Sequence, residues 1–591
     1  MHHRDNYTCK AMKIDKIDPP YWFAMMCEHE LHLLVYGEDL LGMKVKSDLT
    51  IISVKTYSHY AIIVVNVENV PHGTYSFTFT SADGASCINK LYRILPRRKE
   101  MNTPISTADV VYLAMPDRFA KSTSYKSRLQ LEPSNPNHWH GGNIRGIIEQ
   151  LDYLQKLGIT ALWLTPVFDN SERKDNSNYH GYAITDFYNV DAHLGIKKQY
   201  RQLVKEAHQR GIKVIKDIVL NHCGIDHPWK SKRYGEPQDD WFNNSTTSMV
   251  LKTNYDVTTV FNQYISEYDK DQTVKGWFTE AMPDINLTNA HVLHYFYQVA
   301  AWWIETADID AFRVDTYLYA DFESVMKWQN MLHKDYPSLS IIAETWVPQA
   351  AYTAKIQQEV MAKTNNDLTI IMDFAFQKSI EDTFKRGKIY DKEALVYHHL
   401  GLDFLYNNPK NTLAFLDNHD LMRCYKHIKT STKLKQALVL LLTLPRIPQI
   451  QYGTELLFAG TGDGVGDGDK RQDMFGKFNE TNRTEEENDM LSFTQNLLAW
   501  RKQTIAVHNG NLTQFRPNDG IYVYFRESER DAFMVAVNLG KKKIKINLEC
   551  YSEILNKYIH VEPVICNGIV DFSKNVQIVR DGVILLNLKK S

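Results

Sequence analysis

The sequence predicts an α/β protein: a closed (β/α)8 barrel of the TIM type, with one β-sandwich before it and another after it. Three observations carry this. From about residue 110 to residue 502, short apolar runs alternate with helical patterns, as in parallel strands joined by crossover helices. Before and after that region the apolar period is two, as in antiparallel sandwiches. A chain of 591 residues is, moreover, too long for one ordinary core. The expected boundaries are residues 1–104 for an Ig-like N-terminal sandwich and 105–506 for the barrel, with an inserted subdomain at about 222–288. Residues 507–591 form the C-terminal sandwich.

Composition narrows the class. A formal charge of −2 gives no reason to expect nucleic acid or a membrane surface as partner. No run of 18 apolar residues is present, so no transmembrane helix is expected. The 33 Tyr, 25 Phe and 11 Trp suit a protein that stacks on flat ligand faces, although most will serve the core. The seven cysteines (Cys9, Cys27, Cys87, Cys223, Cys424, Cys550, Cys566) are scattered, with no metal spacing. That pattern fits a reducing compartment rather than a disulfide framework. No apolar export segment precedes residue 14, so the expectation is cytoplasmic, with a periplasmic location as the alternative.

In the first sandwich, Thr74–Thr80 alternates strictly and Tyr60–Val67 is a β-branched run. Leu95–Glu100 loses the pattern and reads as a linker. The barrel then opens with Val110–Met115, an apolar run suited to a strand buried on both faces. A helix follows, with Ile144, Ile147, Ile148, Leu151 and Leu154 on one face and Gly158 at its end. Thr160–Leu164 is the second strand. A helix carrying Ile196, Tyr200, Leu203, Val204 and Ala207, closed by Gly211, leads to the third strand, Lys213–Leu220. Further strands fall near 309–315, 340–344, 369–374, 412–417 and 448–452. Helices are expected near 290–306, 322–335, 376–386, 433–444 and 488–502. The polar excursion from Asn221 to Thr288 is a long loop after strand three, on the barrel face that carries active sites. Tyr522–Phe525, Phe533–Asn538, Ile544–Leu548 and Val576–Leu588 supply the last sandwich.

Four strands end in polar clusters. Strand three gives Asp217 to His222, strand four Arg313-Val314-Asp315, strand five Glu344, and strand seven Asp417-Asn418-His419-Asp420. Arg313 and Asp315 are two residues apart, so they share one face of their strand. A guanidinium so near favours an ionised carboxylate, the form that can act as a nucleophile. Each cluster alone has a structural reading: a buried ion pair, a satisfied core histidine, a helix cap. Barrel geometry instead converges all four on one pocket.

These stretches resemble the α-amylase superfamily of glycoside hydrolases along nearly the whole chain. Asp217-Ile-Val-Leu-Asn-His222, Arg313-Val-Asp315, Glu344 in Ala-Glu-Thr-Trp, and Phe415-Leu-Asp-Asn-His-Asp420 match its four short motifs in order. Met282-Pro283-Asp284-Ile285-Asn286-Leu287 is similar to the motif marking the neopullulanase and cyclomaltodextrinase subgroup. The first hundred residues, with Ile17-Asp18-Pro19-Pro20, look like the N-terminal domain of starch-degradation enzymes in that subgroup.

The resemblance implies catalytic roles for Asp315 as nucleophile, Glu344 as acid and then base, and Asp420 as the carboxylate that helps distort the sugar ring. It implies sugar contacts from Tyr182, His222 and His419, with Arg313 holding Asp315 ionised. Asp217 is expected beneath the pocket, and Asn221 as a supporting residue. The implied activity is retaining hydrolysis of α-1,4-glucosidic bonds in maltodextrin, pullulan or cyclodextrin, through a covalent glycosyl-aspartate. Transglycosylation is the alternative, and a non-catalytic glucan-binding role is a third. The implied partner is an α-glucan, with a homodimer left open. Many relatives carry a calcium loop after the first strand. Here Asp117-Arg118-Phe119 continues Ala-Lys-Ser-Thr-Ser-Tyr-Lys, poor in the oxygen ligands calcium needs. No metal or other cofactor is therefore assigned. Within the glycine-rich stretch Gly460–Asp469, the loop Gly462–Asp469 is read as an active-site loop rather than a calcium repeat.

Overall fold

The computed structural model describes residues 12–98, 103–125, 127, 129–170, 177–230, 240–244, 251–385, 391–460, 466–571 and 575–590. Its centre is a closed barrel of eight parallel strands. In order these are Val111–Ala114, Ala161–Leu164, Lys213–Val219, Ala311–Asp315, Ser340–Ala343, Thr369–Met372, Thr412–Phe415 and Ile447–Gln451, the last pairing with the first. All eight fall within or beside the runs expected from sequence. Because these strands are buried on both faces, they read as nearly continuous apolar runs. Val111, Leu113, Ile215, Ala311, Ile342 and Leu413 pack together inside the barrel, while Tyr112, Phe312 and Val314 join the outer core beneath the helices. On strand four this alternation points Arg313 and Asp315 inward with Ala311.

The helices depart from expectation in three places. The first is two helices, Ile144–Glu149 and Leu151–Leu157, broken at Gln150. Ile196 is not on a buried face: it caps the helix Lys197–Gln209 and is 54% exposed. A helix at Ala350–Thr364, after strand five, was not foreseen. Its buried side is built largely from Ala350, Thr353, Ala354, Gln357 and Thr364, too small or polar to print an apolar stripe.

Two four-stranded sheets form the N-terminal sandwich. Phe77 and Phe79 are fully buried and their Thr neighbours are not, as the alternation requires. The sandwich is docked on the barrel helix Ala290–Ala307: the Gln298 side chain both accepts from the His32 N–H (2.8 Å) and donates to the His32 carbonyl (2.9 Å). The expected linker is part of this docking. Arg97 pairs with Glu305 and Asp335, each at 2.9 Å. Sheets of five and three strands make up the C-terminal sandwich. The expected strand Val576–Leu588 is two, Asn575–Ile578 and Val583–Lys589, which belong to different sheets. Strands His560–Cys566 and Gly568–Asp571 were missed; the first is half-exposed and contains Pro563, which blurs its alternation. Among the described residues no helix is long and apolar enough to cross a membrane, and the six described cysteines are all free.

Candidate active site

Parallel register sets the site. Asp217 pairs with Arg313 across strands three and four, and Val314 pairs with Ala343, which puts Glu344 one step beyond strand five at the same rim. The Arg313 guanidinium is fully buried. Its Nη1 lies 2.7 Å from Asp315 Oδ1 and 3.1 Å from Asp217 Oδ1; its Nη2 lies 2.5 Å from Glu344 Oε1. One cation thus holds three carboxyls taken from three consecutive strands. A buried charge of this kind persists only when paired and hydrogen-bonded in this way.

Directly after Asp315 the chain turns sharply. Thr316 sits at φ +46°, an unusual conformation for a β-branched residue, and this aims its N–H at Glu344 Oε2 (2.8 Å). Strain stored beside a nucleophile candidate is spent on orienting the neighbouring carboxyl. Glu344 has a pKa pushed up to about 8. Burial is the main cause, opposed by Arg313 and reinforced by the negative charges of Asp315 and Asp420. A carboxyl in that state can carry a proton at neutral pH.

Tyr182 reaches the site through Gly181, at φ +90°, where a Cβ would lie 2.5 Å from the Pro166 carbonyl oxygen. The Tyr182 hydroxyl donates to Asp217 Oδ2 (3.1 Å) and lies 2.7 Å from His419 Nε2. Asp217 also accepts from Trp163 Nε1 at 3.0 Å. Burial pushes the Asp217 pKa up to about 7, against the pull of Arg313. The His419 ring, stacked parallel to Tyr182 at 5.6 Å, is lowered to about 3 by burial and is therefore neutral. Its Nε2 lies 3.1 Å from Asp420 Oδ2. Burial likewise lowers His222, a residue of the cleft wall whose Nε2 is buried and has no hydrogen-bond partner among the described residues. An unpaired buried ring nitrogen in a cavity wall is available to a ligand hydroxyl.

The cavity measures 560 Å³. Asp315, Glu344, Asp420, Tyr182 and His222 share its walls with His180, Tyr255, Phe278, Tyr319, Trp346, Lys470 and Arg471. Asp217, Arg313 and His419 stand beneath them. Asn221 does not line the cavity: it is fully buried, with its Nδ2 3.4 Å from His222 Nδ1. Sequence reasoning missed the aromatic wall. Phe278 packs edge-on against Tyr319 and Tyr255, and Trp346 is 45% exposed above Phe374. Only Trp346 left a signal, in the quoted Ala-Glu-Thr-Trp. Residues 461–465 of the glycine-rich stretch lie outside the described residues; Gly466 to Asp469 run along the rim.

The donor set after strand one does not suit calcium. Asp117 accepts from the His140 and Gly141 N–H groups and from Arg118 Nε, so its oxygens are occupied. The Arg118 guanidinium takes the carbonyls of Pro136, His138 and Arg471. Asp284 accepts from Asn243 Nδ2 at 2.7 Å, and burial holds its carboxyl well above the usual range. Among the described residues no group of three or more His, Cys, Asp or Glu is placed to share a metal ion.

Known proteins share this architecture. The α-amylase catalytic-domain model matches residues 113–504. The cyclomaltodextrinase N-terminal and C-terminal domain models match residues 16–98 and 512–587. A cyclomaltodextrinase of Thermoanaerobacter pseudethanolicus is 26% identical over 462 residues, covering 74% of this chain and 72% of its own. Neopullulanase 2 of Thermoactinomyces vulgaris is 25% identical over 481 residues, 76% and 73% of the two chains. Among solved structures, an α-amylase from Anoxybacillus superposes with a TM-score of 0.68 at 26% identity, over 82% of this chain and 98% of its own. An α-amylase from Geobacillus thermoleovorans, complexed with acarbose, gives 0.66 at 25% identity, over 82% and 99%.

Proposed function

The chain belongs to the α-amylase family of glycoside hydrolases, and from that premise we propose that it is a retaining α-glucan hydrolase acting on α-1,4-glucosidic bonds. Asp315 is the nucleophile and Glu344 the acid, then base. Asp420 draws on the sugar hydroxyls and strains the ring toward the oxocarbenium-like state. The observation that carries this is the single guanidinium shared by Asp315 and Glu344. It favours the close carboxyl spacing of about 5–5.5 Å that double displacement uses, over the about 6.5–9.5 Å that admits a water.

The steps follow from positions. Glu344, protonated through burial, gives its proton to the glycosidic oxygen while Asp315 attacks the anomeric carbon; Arg313 holds the attacking carboxylate in line. Glu344, now ionised, takes a proton from water, which displaces Asp315. Tyr182 offers its ring face to the sugar; His222 and neutral His419 meet its hydroxyls. Asp217 fixes Arg313 and Tyr182 from below, and Asn221 supports His222 from behind. The substrate is maltodextrin, pullulan or cyclodextrin, the last two suggested by relatives named neopullulanase and cyclomaltodextrinase. The six described cysteines, all free, favour a reducing compartment such as the cytoplasm.

Transglycosylation is a second reading, favoured by exposed Trp346. It follows the acid by two residues and offers a flat face on which an acceptor sugar can stack. Proton NMR of the first product formed from maltoheptaose tests the mechanism: the α-anomer is expected, and the β-anomer would overturn it. Product profiles on pullulan, β-cyclodextrin and amylose, side by side, decide the substrate. Longer oligosaccharides accumulating at high maltose would identify the transferase.

A further inference from the structure

The eighth βα loop makes an unusual investment in one carboxylate. Arg471 is nearly fully buried, and its three nitrogens go to three separate targets. Nε donates to the His419 carbonyl (2.9 Å), Nη2 to Asp420 Oδ1 (3.0 Å) and Nη1 to the Tyr179 hydroxyl (3.1 Å). The preceding residue adds a fourth bond: Lys470 Nζ donates to the Asp420 carbonyl at 2.7 Å. Both the backbone and the side chain of residues 419–420 are therefore gripped by one dipeptide about fifty positions away in the chain.

The grip is itself anchored. Arg118, from the loop after strand one, donates to the Arg471 carbonyl at 2.9 Å and lies over the ring of Tyr179 at 4.3 Å. The Gly468 N–H donates to Asn137 Oδ1, and a Cβ at Gly468 would lie 2.1 Å from the Pro136 carbonyl oxygen. Only glycine lets the two loops meet so closely. Asp420 needs such support. Its side chain is 27% exposed, against 9% for Asp315 and 7% for Glu344. Without these bonds, a partly exposed carboxylate at a cleft mouth would keep only its contact with His419 to hold its rotamer.

We infer that Arg471 is the positioning residue for Asp420, fixing Oδ1 and the backbone behind it, so that Oδ2, 3.1 Å from His419 Nε2, is set to meet the reacting sugar. The inference rests on the role proposed for Asp420. Arg471 acts through that carboxylate by preorganisation: the orientation is settled before substrate arrives and costs nothing at the moment of reaction. Against the burial that opposes ionisation, its charge also favours the ionised carboxylate, in the same direction as Arg313 and Lys470.

Steady-state kinetics on maltoheptaose across pH test this, using Arg471→Met, Arg471→Lys, Asp420→Asn and the double variant. Arg471→Met is expected to lower kcat about 100-fold, the scale of losing one oriented donor, with KM changed much less. The acidic limb of kcat/KM should move to higher pH, and Arg471→Lys should restore that limb together with part of kcat. Adding Arg471→Met to Asp420→Asn should cost nothing more, because the effect runs through Asp420. A wild-type kcat and acidic limb in Arg471→Met would overturn the inference. So would a rise in KM alone, which would make Arg471 a substrate contact. If Asp420→Asn itself keeps its activity, the role assigned to Asp420 fails first; if it is inactive while Arg471→Met is normal, only the positioning role fails. Thermal unfolding of each variant guards against misfolding, and should Arg471→Met not fold, Arg471→Lys and Arg471→Gln carry the same readouts.

Discussion

Glu344 offers the sharpest test of the mechanism, because its burial has a calculable consequence. With its pKa at about 8, about nine in ten Glu344 carboxyls hold a proton at pH 7. At the ordinary value of about 4.3, only about one in five hundred would. Above pH 8, kcat/KM for a maltodextrin should therefore fall about tenfold per pH unit, as the acid form is depleted. Glu344→Gln removes the acid while keeping shape and hydrogen-bonding capacity. Hydrolysis should drop by about 10²–10⁴-fold, and what remains should lose the basic limb. Stability should move the other way. A carboxyl whose folded pKa exceeds its unfolded pKa binds more protons in the folded state, so it costs stability as pH rises between the two values. Glutamine escapes that cost, and the variant should be more stable than the parent above about pH 5, by on the order of 2–4 kcal/mol at pH 7. Initial rates of reducing-sugar release from pH 4 to 10, with thermal unfolding on the same samples, measure both. A Gln variant within tenfold of wild-type activity, or one that keeps the basic limb, would refute the reasoning.

Other substitutions separate catalysis from scaffolding. Asp315→Ala should cut turnover by about four to six orders of magnitude, the scale of losing a covalent nucleophile, with an unchanged circular dichroism spectrum; retained turnover would sink the mechanism. Asp217→Asn turns an amide N–H₂ toward donors it cannot accept from. Urea titration should show about 1–3 kcal/mol of lost stability, and an unchanged midpoint would mean that Asp217 supports nothing. Lys216 points away from the barrel interior, and its ammonium lies 3.9 Å from the ring centres of Phe168 and Trp303, with no hydrogen-bond partner among the described residues. Burial lowers its pKa well below the ordinary lysine value. The unfolded chain thus binds a proton that the folded chain resists, and stability is lost as pH falls from about 10. Lys216→Met should flatten that slope and raise neutral-pH stability by about 1–3 kcal/mol; a steeper slope would show the cage holding a charged ammonium.

Much of this was legible because barrel strands are short, buried on both faces and locally patterned. Val111–Ala114, Ser340–Ala343 and Thr412–Phe415 could hardly be read otherwise. The helix Ala350–Thr364 was not legible, since small and polar residues fill its buried face. Asn221, read from its motif as a supporting residue, is fully buried beside His222, a position that depends on how the barrel rim packs. Arg471 left no sequence signal, because a charged residue in a Gly/Asp-rich loop reads as solvated surface.

By itself the sequence determined which residues stand at the strand ends, and so the inventory of carboxylates, histidines and the arginine. Alternation is a local property, and it fixes that Arg313 and Asp315 share a face. Tertiary structure alone decided that Arg313 also reaches Glu344 and Asp217, that Glu344 is buried enough to keep its proton, and that a distant loop grips Asp420. Desolvation and charge pairing depend on distances between groups far apart in the chain, and those distances exist only once the barrel has closed.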